Sequence, residues 1–374
     1  MNFKISKRVF YNGLKTVSRA ITSNTPLQAL SGIKIYVNED KIILTGSDAD
    51  ISIQLTLSNQ QDEDTNLNVK ETGSIVIESK YIVEIVRKID ADHIDFEIID
   101  GSLTRISGNS TEYNINGIKS SEYPAIDFSK PEKQIFINAD ILKKIINQTS
   151  FATSDKETRP VLTGVNFRAN SNKLEAVATD SYRLARKEID LNNVVDFNVT
   201  IPAKSLNEVV KSIDADKEIE CCFSDKKAQF WIGSSLIQTR LIDGTYPETE
   251  RLIPTEFLYE IIVDSRDLLN AIDRASFIKN EGISIIKLSA SQDGIIISTK
   301  SQEIGSSKEE LKVESYKGND LEISFSGRYV YEAIRTLSAN KIKIEFSGEM
   351  KPFVIKSLDD NSILQLVLPV RTYQ

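Results

Sequence analysis

Three sets of charged residues recur along the chain, and each combines two cations with one carboxylate. The sets are Lys80, Glu84 and Arg87; Lys204, Glu208 and Lys211; and Arg328, Glu332 and Arg335. Residues at spacings of three, four and seven share one face of a helix. Cations on such a face can contact the phosphates of a polyanion, while the glutamate opposes them. Surface helices commonly carry Lys and Arg on the face exposed to solvent. The recurrence of this pattern in three helices nevertheless favours a role for these cations in binding a polyanion.

The net charge of −8 argues at first against a polyanionic ligand, but the charge is unevenly distributed. Six segments are predicted to be helices: 7–19, 80–89, 139–150, 204–213, 265–277 and 328–337. They hold 15 Lys and Arg against 6 Asp and Glu, a net charge of +9, which leaves −17 on the other residues. Positive charge is therefore concentrated on the predicted helices.

The elements that carry the three charged sets form a unit that returns every 124 residues. Each copy reads as strand, helix and strand, over 75–96, 199–223 and 323–346. Apolar residues recur at i, i+3, i+4 and i+7 in each helix, the buried stripe of an amphipathic helix. They are Ile82, Ile85, Val86 and Ile89; Leu206, Val209, Val210 and Ile213; and Val330, Ala333, Ile334 and Leu337. The sequence therefore predicts a threefold internal repeat.

A second helix is predicted near the start of each repeat. Ser6, Asn138 and Asp264 align at one position, where their side chains are expected to cap the first turn. Paired β-rich runs with polar turns follow these helices, so the layout is α+β, with two helices packed on antiparallel sheet in each of three domains. Tyr-Pro pairs at 123–124 and 246–247 mark polar linkers, and the domains are predicted at 1–128, 129–254 and 255–374.

Residues for catalysis are not assembled in any recognisable motif. The single histidine, His93, is predicted to lie in a turn, and Lys217 and Lys341 occupy the same position in the other repeats. Asp48 and Asp180 also align with each other, which favours a role in turns over shared chemistry. No phosphate-binding glycine motif occurs. We therefore expect a protein that is not an enzyme and that has no catalytic residue, cofactor or metal site.

The two cysteines, Cys221 and Cys222, are adjacent on a predicted strand and cannot supply a disulfide framework. No apolar run approaches the length of a membrane span, and the amino-terminal residues lack the apolar core of a signal peptide. These features predict no membrane association and a cytoplasmic location.

The segment ATDSYRLA at 178–185 resembles the bacterial DNA sliding clamps, the β subunits of DNA polymerase III. The resemblance extends to RPVLTG at 159–164, IDGTYPETERLIP at 242–254 and the carboxyl-terminal LVLPVRTYQ, and it covers the whole chain. It implies a homodimer whose two chains close head to tail into a ring, with helices lining the hole. It also implies sequence-independent enclosure of double-stranded DNA. The expected partners are the replicative polymerase, the clamp loader and repair proteins, all bound through short peptides.

The resemblance assigns residues to three surfaces. The partner-peptide cleft would comprise Leu162, Thr179, Ser181, Tyr182, Arg183, Leu184, Pro247, Arg251, Leu252, Leu366, Val367, Leu368, Pro369, Val370 and Arg371, with the three arginines as donors at its rim. The DNA channel would include Lys80, Arg87, Lys143, Lys144, Lys156, Lys204, Lys211, Arg266, Arg328 and Arg335. The dimer interface would join Tyr113 and Ile115 to Phe277 and Ile278.

The first repeat departs from the family in one loop. Where relatives usually offer a cation to DNA this chain has Asn24, so the loop contact is expected to shift to Lys156 of the second repeat. A monomeric three-repeat scaffold that binds nucleic acid non-specifically is the alternative function, and it would need no surface for self-association. The molecular mass in solution separates the two hypotheses.

Overall fold

Six α-helices occur in the described part of the chain. The computed structural model describes residues 1–22, 25–213, 217–279 and 282–371. The helices are α1 (Lys7–Ser18), α2 (Ser79–Lys88), α3 (Ala139–Thr149), α4 (Ala203–Ser212), α5 (Ser265–Ala275) and α6 (Gly327–Leu337). Short 3₁₀ helices cover Gln28–Ser31, Glu63–Thr65, Ser120–Glu122, Ser150–Ala152, Pro160–Thr163 and Glu250–Leu252. All six predicted helices are confirmed, and their ends agree within one or two residues.

The strands follow the same repeat. The first part of the chain forms β1 (Asn2–Ser6), β2 (Gly32–Val37), β3 (Lys41–Ser47), β4 (Ile51–Ser58), β5 (Asn68–Glu71), β6 (Gly73–Glu78), β7 (His93–Asp100), β8 (Leu103–Gly108), β9 (Thr111–Asn116) and β10 (Ile118–Lys119). Then come β11 (Lys133–Asn138), β12 (Gly164–Asn170), β13 (Lys173–Thr179), β14 (Arg183–Asp190), β15 (Phe197–Pro202), β16 (Glu218–Phe223), β17 (Lys227–Ile232) and β18 (Ser235–Arg240). The last are β19 (Tyr259–Asp264), β20 (Ile285–Ser291), β21 (Gly294–Ser301), β22 (Gly305–Leu311), β23 (Ser315–Lys317), β24 (Leu321–Ser326), β25 (Lys341–Phe346), β26 (Phe353–Ser357) and β27 (Ile363–Val367).

The chain divides into two compact units that cut across the predicted domains. The first unit is 1–139 with 207–241, and the second is 140–206 with 242–374. The first contains a five-stranded sheet, β5-β1-β7-β8-β9, and a nine-stranded sheet, β10-β6-β2-β3-β4-β18-β17-β16-β11. The second contains a nine-stranded sheet, β15-β12-β13-β14-β27-β26-β25-β19-β23, and a four-stranded sheet, β22-β21-β20-β24. Each nine-stranded sheet contains strands from two successive repeats. The boundaries of the compact units therefore do not coincide with the boundaries of the repeats. The predicted domain boundaries stay a prediction.

In the first unit, α1 packs closely on the nine-stranded sheet. Gly13 on α1 faces Leu44, Leu55 and Leu57 of β3 and β4. Gly46 on β3 faces the carbonyl oxygen of Val17, which would lie 2.2 Å from an added Cβ. Phe10 of α1 also packs edge-on against the buried rings of Phe3 and Phe96 in the five-stranded sheet, at centroid distances of 5.8 and 6.3 Å. Glycine at position 46 thus permits the closest approach of helix and sheet.

The second unit encloses a buried core that contains one face of each of α5 and α6. Leu268 and Ile272 of α5, with Val330 and Ile334 of α6, belong to this core. Asp264 caps α5 by accepting hydrogen bonds from the backbone N–H groups of Arg266 and Asp267, as the sequence predicts. Ser6, the corresponding residue before α1, makes no side-chain capping bond, so that part of the prediction is wrong.

We predict that Gly46→Ala destabilises the protein by about 2 kcal/mol, because a methyl group at this site must displace the backbone of α1. Ala178 occupies the aligned position of the second repeat, so alanine suits the strand itself. Ala178→Gly is therefore the matched control, and it should lower the free energy of unfolding by less than about 1 kcal/mol. Thermal unfolding followed by circular dichroism measures both variants. Equal melting temperatures for Gly46→Ala and the unchanged protein would contradict the close approach.

Candidate functional site

A buried apolar cluster lies beside the segment that carries the family resemblance. Its members are Leu162, Val177, Leu184, Tyr246, Val354, Leu364 and Leu366, and half-buried Val161, Ile253, Phe257 and Leu368 pack against it. All of these residues belong to the second compact unit. The cluster therefore contains Leu162, Leu184 and Leu366 of the predicted cleft and places Leu368 against it.

Strand pairing explains why these residues meet. β27 pairs antiparallel with β14 on one side and with β26 on the other, which puts Leu366 opposite both Leu184 and Val354. Opposite residues on neighbouring strands project to the same face of a sheet. Three apolar side chains from distant parts of the sequence thus form one continuous surface.

The turn between β13 and β14 is held by its own polar side chains. Asp180 accepts hydrogen bonds from the backbone N–H groups of Tyr182 and Arg183, at 2.9 and 3.0 Å. The Thr179 hydroxyl donates to the carbonyl of Arg183 and accepts from the N–H of Ser181. Ser181 has a φ of +77°, the left-handed region. This arrangement leaves the Tyr182 side chain 61% exposed beside the apolar cluster.

The structure contradicts the prediction that Arg183 offers hydrogen-bond donors at the rim of the cleft. Its side chain is buried, and the guanidinium donates to the carboxylates of Asp180 and Glu332 and to the carbonyl of Phe151. The rings of Phe151 and Tyr329 lie 5.1 and 4.7 Å from the guanidinium carbon. Arginine is suited to such a position because its planar group stacks and hydrogen-bonds at once. We therefore assign Arg183 to holding the turn.

The sequence predicts that Glu332 opposes phosphate. In the structure the Glu332 carboxylate instead connects α6 to Arg183. The carboxylate accepts from Arg183 and also from Arg328 Nε at 2.9 Å. Burial acts to raise the pKa of Glu332, but the hydrogen bonds from Arg183 and Arg328 outweigh it and lower the pKa below its usual value. The carboxylate is therefore held ionised between two arginines.

The remaining cleft residues lie at the surface. Pro247 and Arg251 are exposed, and Leu252 is 51% exposed. Arg251 Nε lies 3.4 Å from Glu248, and both side chains are largely exposed, so this arginine can contact another molecule. The tail adds main-chain contacts, since the N–H of Leu368 donates to the carbonyl of Tyr182. Val367 is buried, Pro369 and Val370 are half-buried, and Arg371 is exposed.

Tyr246 is a residue of this region that sequence reasoning did not assign. Its ring belongs to the apolar cluster, and its hydroxyl accepts a hydrogen bond of 3.0 Å from the N–H of Thr179. Burial raises the pKa of the Tyr246 phenol. The repeated Tyr-Pro pair is the available signal in the sequence, although its polar surroundings predict a linker.

Most cations of the predicted DNA channel are exposed, and Lys80, Arg87, Lys211 and Arg328 pair with nearby glutamates. Lys80, Lys144, Lys156, Lys204, Lys211, Arg266, Arg328, Arg335 and Arg87 are exposed, and Lys143 is half-buried. Arg87 binds Glu84 through two nitrogens at 3.1 and 2.7 Å, and Lys211 binds Glu208 at 2.7 Å. Lys80 lies 2.7 Å from Glu78. The predicted cation–glutamate faces are thus present in all three repeats. The Asn24 loop lies outside the described residues.

The residues predicted to form a dimer interface lie on edges of the structure. Tyr113 and Ile115 are half-buried on β9, the last strand of the five-stranded sheet. Phe277 is 81% exposed just beyond α5, and Ile278 is half-buried. Phe277 therefore adds apolar surface at the predicted interface, although a single exposed aromatic residue is common on protein surfaces.

Among the described residues, no group of three or more His, Cys, Asp or Glu side chains is placed to hold a metal ion. None of the helices within the described ranges has the length and apolar character that a membrane crossing requires.

Comparison with known proteins matches the whole chain to one family. Models of the DNA polymerase III beta subunit match in three parts, the N-terminal domain over 1–127, the central domain over 136–248 and the C-terminal domain over 250–371. The beta sliding clamps of Staphylococcus epidermidis and Staphylococcus aureus are 38% and 37% identical over 376 aligned residues, with 100% of each chain covered. The crystal structure of the DNA polymerase sliding clamp from Bacillus subtilis has a TM-score of 0.96, 38% identity and full coverage of both chains. The beta chain from Streptococcus pneumoniae has a TM-score of 0.95 at 34% identity, and 99% of this chain and 100% of that chain are covered.

The fold is thus the three-domain clamp fold, α+β with antiparallel sheets and six helices in the described residues. The chain belongs to the bacterial beta sliding clamps, the beta subunits of DNA polymerase III. Its function is that of a processivity subunit in DNA replication, a non-catalytic accessory of the polymerase. Membership of the family implies association with DNA polymerase and encirclement of DNA.

We predict that Glu332→Gln lowers the melting temperature at pH 7 by about 2–4 °C, because buried Arg183 loses a charged partner. The folded-state pKa of Glu332 is lowered, so its contribution is present above the unfolded value of 4.5 and is lost as pH falls through the folded value. The difference between the two proteins should therefore shrink from pH 7 to about pH 3.5.

Glu84→Gln is the control for this prediction, since Glu84 occupies the aligned position in α2 and its pair with Arg87 is exposed. Its melting temperature at pH 7 should match that of the unchanged protein. Calorimetry at the two pH values provides the measurement. A Glu332→Gln difference that does not change with pH would contradict the role given to the carboxylate.

Proposed function

We propose that two copies of this chain close head to tail into a ring around duplex DNA and hold partner proteins at the apolar cleft of the second compact unit. The single observation that carries the proposal is the full-length family match. The exposed apolar residues at Phe277 and at the cleft support it. We place this activity in the cytoplasm. The partners are the replicative polymerase, the clamp loader and repair proteins.

Two open strand edges support closure into a ring. β9 ends the five-stranded sheet and β22 ends the four-stranded sheet, and no described strand pairs with the outer edge of either one. An open edge presents unpaired N–H and C=O groups that favour pairing with another chain. Tyr113 and Ile115 on β9, and Phe277 and Ile278 in the third repeat, add apolar surface. A head-to-tail dimer brings β9 of one copy to β22 of the other and repeats the contact twice.

The helix cations support sliding rather than tight binding. The exposed ion pair of Arg87 with Glu84 contributes little to stability, so this arginine can turn toward a phosphate of passing DNA. The neighbouring glutamates weaken the attraction to DNA, and salt screens it further. Such a surface guides DNA, and persistence on DNA must come from the closed ring.

The cleft is suited to a short peptide with apolar side chains. Tyr182 and Leu252 are exposed next to the cluster, and half-buried Val161, Phe257 and Leu368 extend the apolar surface. Exposed Arg251 and Arg371 can donate to peptide carbonyls or to an amide side chain. A small apolar cleft with a few polar groups at its edge is a common design for peptide recognition.

We predict that Leu252→Asp weakens binding of a polymerase-derived clamp-binding peptide at least tenfold, because it puts a charge on the apolar contact surface. Leu252 is half exposed, so folding should be unaffected. Val194→Asp is the matched control, since Val194 is 80% exposed and lies outside the cleft. Deletion of residues 368–374 should abolish binding and leave the dimer intact. Fluorescence anisotropy of the labelled peptide measures its affinity. Equal affinity for the deletion variant and the unchanged protein would show that the peptide binds at another surface.

We predict that the protein is a dimer at micromolar concentration and stays on nicked circular DNA in high salt after loading by a clamp loader with ATP. Linearising the circle should release it, because a topologically linked ring slides off a free end. The double variant F277D/I278D should be a folded monomer by light scattering and should not be retained. Loss from intact circles in moderate salt, or retention on unblocked linear DNA, would show conventional binding.

A further inference from the structure

One cavity of the structure is not part of the proposed peptide cleft or of the proposed dimer interface. It lies in the first compact unit, has a volume of about 650 Å³, and is bounded by the start of α1, the 3₁₀ turn at 63–65, the end of α2 and the turn before β7. Its lining includes Ser6, Lys7, Arg8, Tyr11, Arg87 and His93. Three of these side chains are cations and two carry a hydroxyl group. Cavities of this size accommodate small ligands or part of a larger one.

Ser6 is the unexplained group in this cavity. The residue is only 9% exposed and precedes the first residue of α1. Its hydroxyl makes no capping hydrogen bond to the helix. The backbone N–H of Lys7 donates to the carbonyl of Asp92, but no side chain caps the first turn and no acidic residue lies in it. In α5, by contrast, Asp264 puts a carboxylate at the same place.

The charges around Ser6 favour an anion. Arg8 pairs with Asp64, and both side chains are about two-thirds exposed, so this pair is weak and exchangeable. Arg87 pairs with Glu84 outside the cavity lining, again at an exposed site. Two carboxylates, Asp64 and Asp92, line the cavity and oppose an anion, against Lys7, Arg8 and Arg87. A phosphate offers more acceptor oxygens than a carboxylate and binds readily at an uncapped helix amino terminus.

We propose that this cavity binds one phosphate group, as a diester of a nucleic-acid backbone or as free phosphate, through the start of α1, the Ser6 hydroxyl and the guanidinium groups of Arg8 and Arg87. The inference rests on the proposed function only in that DNA would pass these helices. A seated phosphate differs from the screened contacts of the helix faces, because it combines a serine hydroxyl with a helix amino terminus. It would give the first repeat a defined resting contact with the DNA backbone.

His93 makes the proposal directly testable, because it lines the cavity and is the only histidine in the chain. Full-length protein labelled with ¹³C-histidine gives one ring signal in the NMR spectrum. We expect that signal to shift and saturate when inorganic phosphate is added at constant pH and ionic strength, and when a 12-base-pair duplex is added. Sodium chloride at matched ionic strength should not reproduce the shift. A response to the duplex identifies a nucleic-acid ligand, and a response to inorganic phosphate alone identifies a free phosphate ligand.

Two variants separate binding from folding. Ser6→Asp should abolish the saturable shift, because its carboxylate would occupy the helix start as Asp264 does in α5, and aspartate is an equally good cap. Arg8→Gln should weaken phosphate binding at least fivefold. Lys15→Gln, an equal charge change on the exposed face of α1 outside the cavity, should leave phosphate affinity unchanged.

The inference is overturned if neither phosphate nor duplex gives a saturable shift, if Ser6→Asp responds like the unchanged protein, or if Lys15→Gln weakens binding as much as Arg8→Gln. Retention on circular DNA is measured separately. If the protein is retained normally on circular DNA but does not bind phosphate, only the proposed phosphate site is refuted. If it binds phosphate but is not retained on circular DNA, only the proposed ring is refuted.

Discussion

Backbone pairing between strands of successive repeats is the constraint on which the rest of this structure depends. β27 of the third repeat fits between β26 and β14, and β14 belongs to the second repeat. The same arrangement occurs in the first unit, where β18 of the second repeat pairs with β4 of the first. A repeat therefore does not complete its own large sheet. Because the sheets are continuous across repeats, the residues near each junction are held by a full ladder of hydrogen bonds.

The apolar cleft follows directly from that pairing. Leu184 and Leu366 are opposite each other only because β14 and β27 are neighbours in this register. A shift of one residue would turn each apolar side chain to the other face of the sheet. The turn that precedes β14 is then tied to α6 through Arg183 and Glu332. The ion pair of Arg183 with Glu332 thus connects the proposed peptide-binding region to a helix that carries predicted DNA contacts, with Arg328 on the same carboxylate.

The charge pattern and the fold support the proposal that the protein encloses DNA without binding it tightly. Arg87, Lys211 and Arg328 are exposed and pair with glutamates of their own helices, so we expect their attraction to phosphate to be weak and non-directional. The uncapped start of α1 differs from this pattern, since Ser6 is buried beside a cavity lined with cations. In α5 the corresponding start is already neutralised by Asp264. Two helices at equivalent positions of the repeat therefore have different electrostatic properties.

The sequence alone determined the repeat, the six helices and the α+β class, because hydrophobic periodicity and charge spacing are local properties that recur every 124 residues. Ile82, Leu206 and Val330 are buried as the periodicity predicts. The role of Asp180 in a turn was also predictable, since an aspartate binds nearby backbone N–H groups.

Only the tertiary structure decided what depends on distant partners. Arg183 has three partners on separate elements, and no local pattern shows that its guanidinium is buried between Phe151 and Tyr329. The same holds for Tyr246, whose hydroxyl reaches Thr179 across 67 residues of sequence. Ser6 has the residue type of a helix cap, yet its hydroxyl does not cap α1, because the type of a residue does not fix the orientation of its side chain. Burial and hydrogen-bond partners are set by packing, and packing is a property of the whole chain.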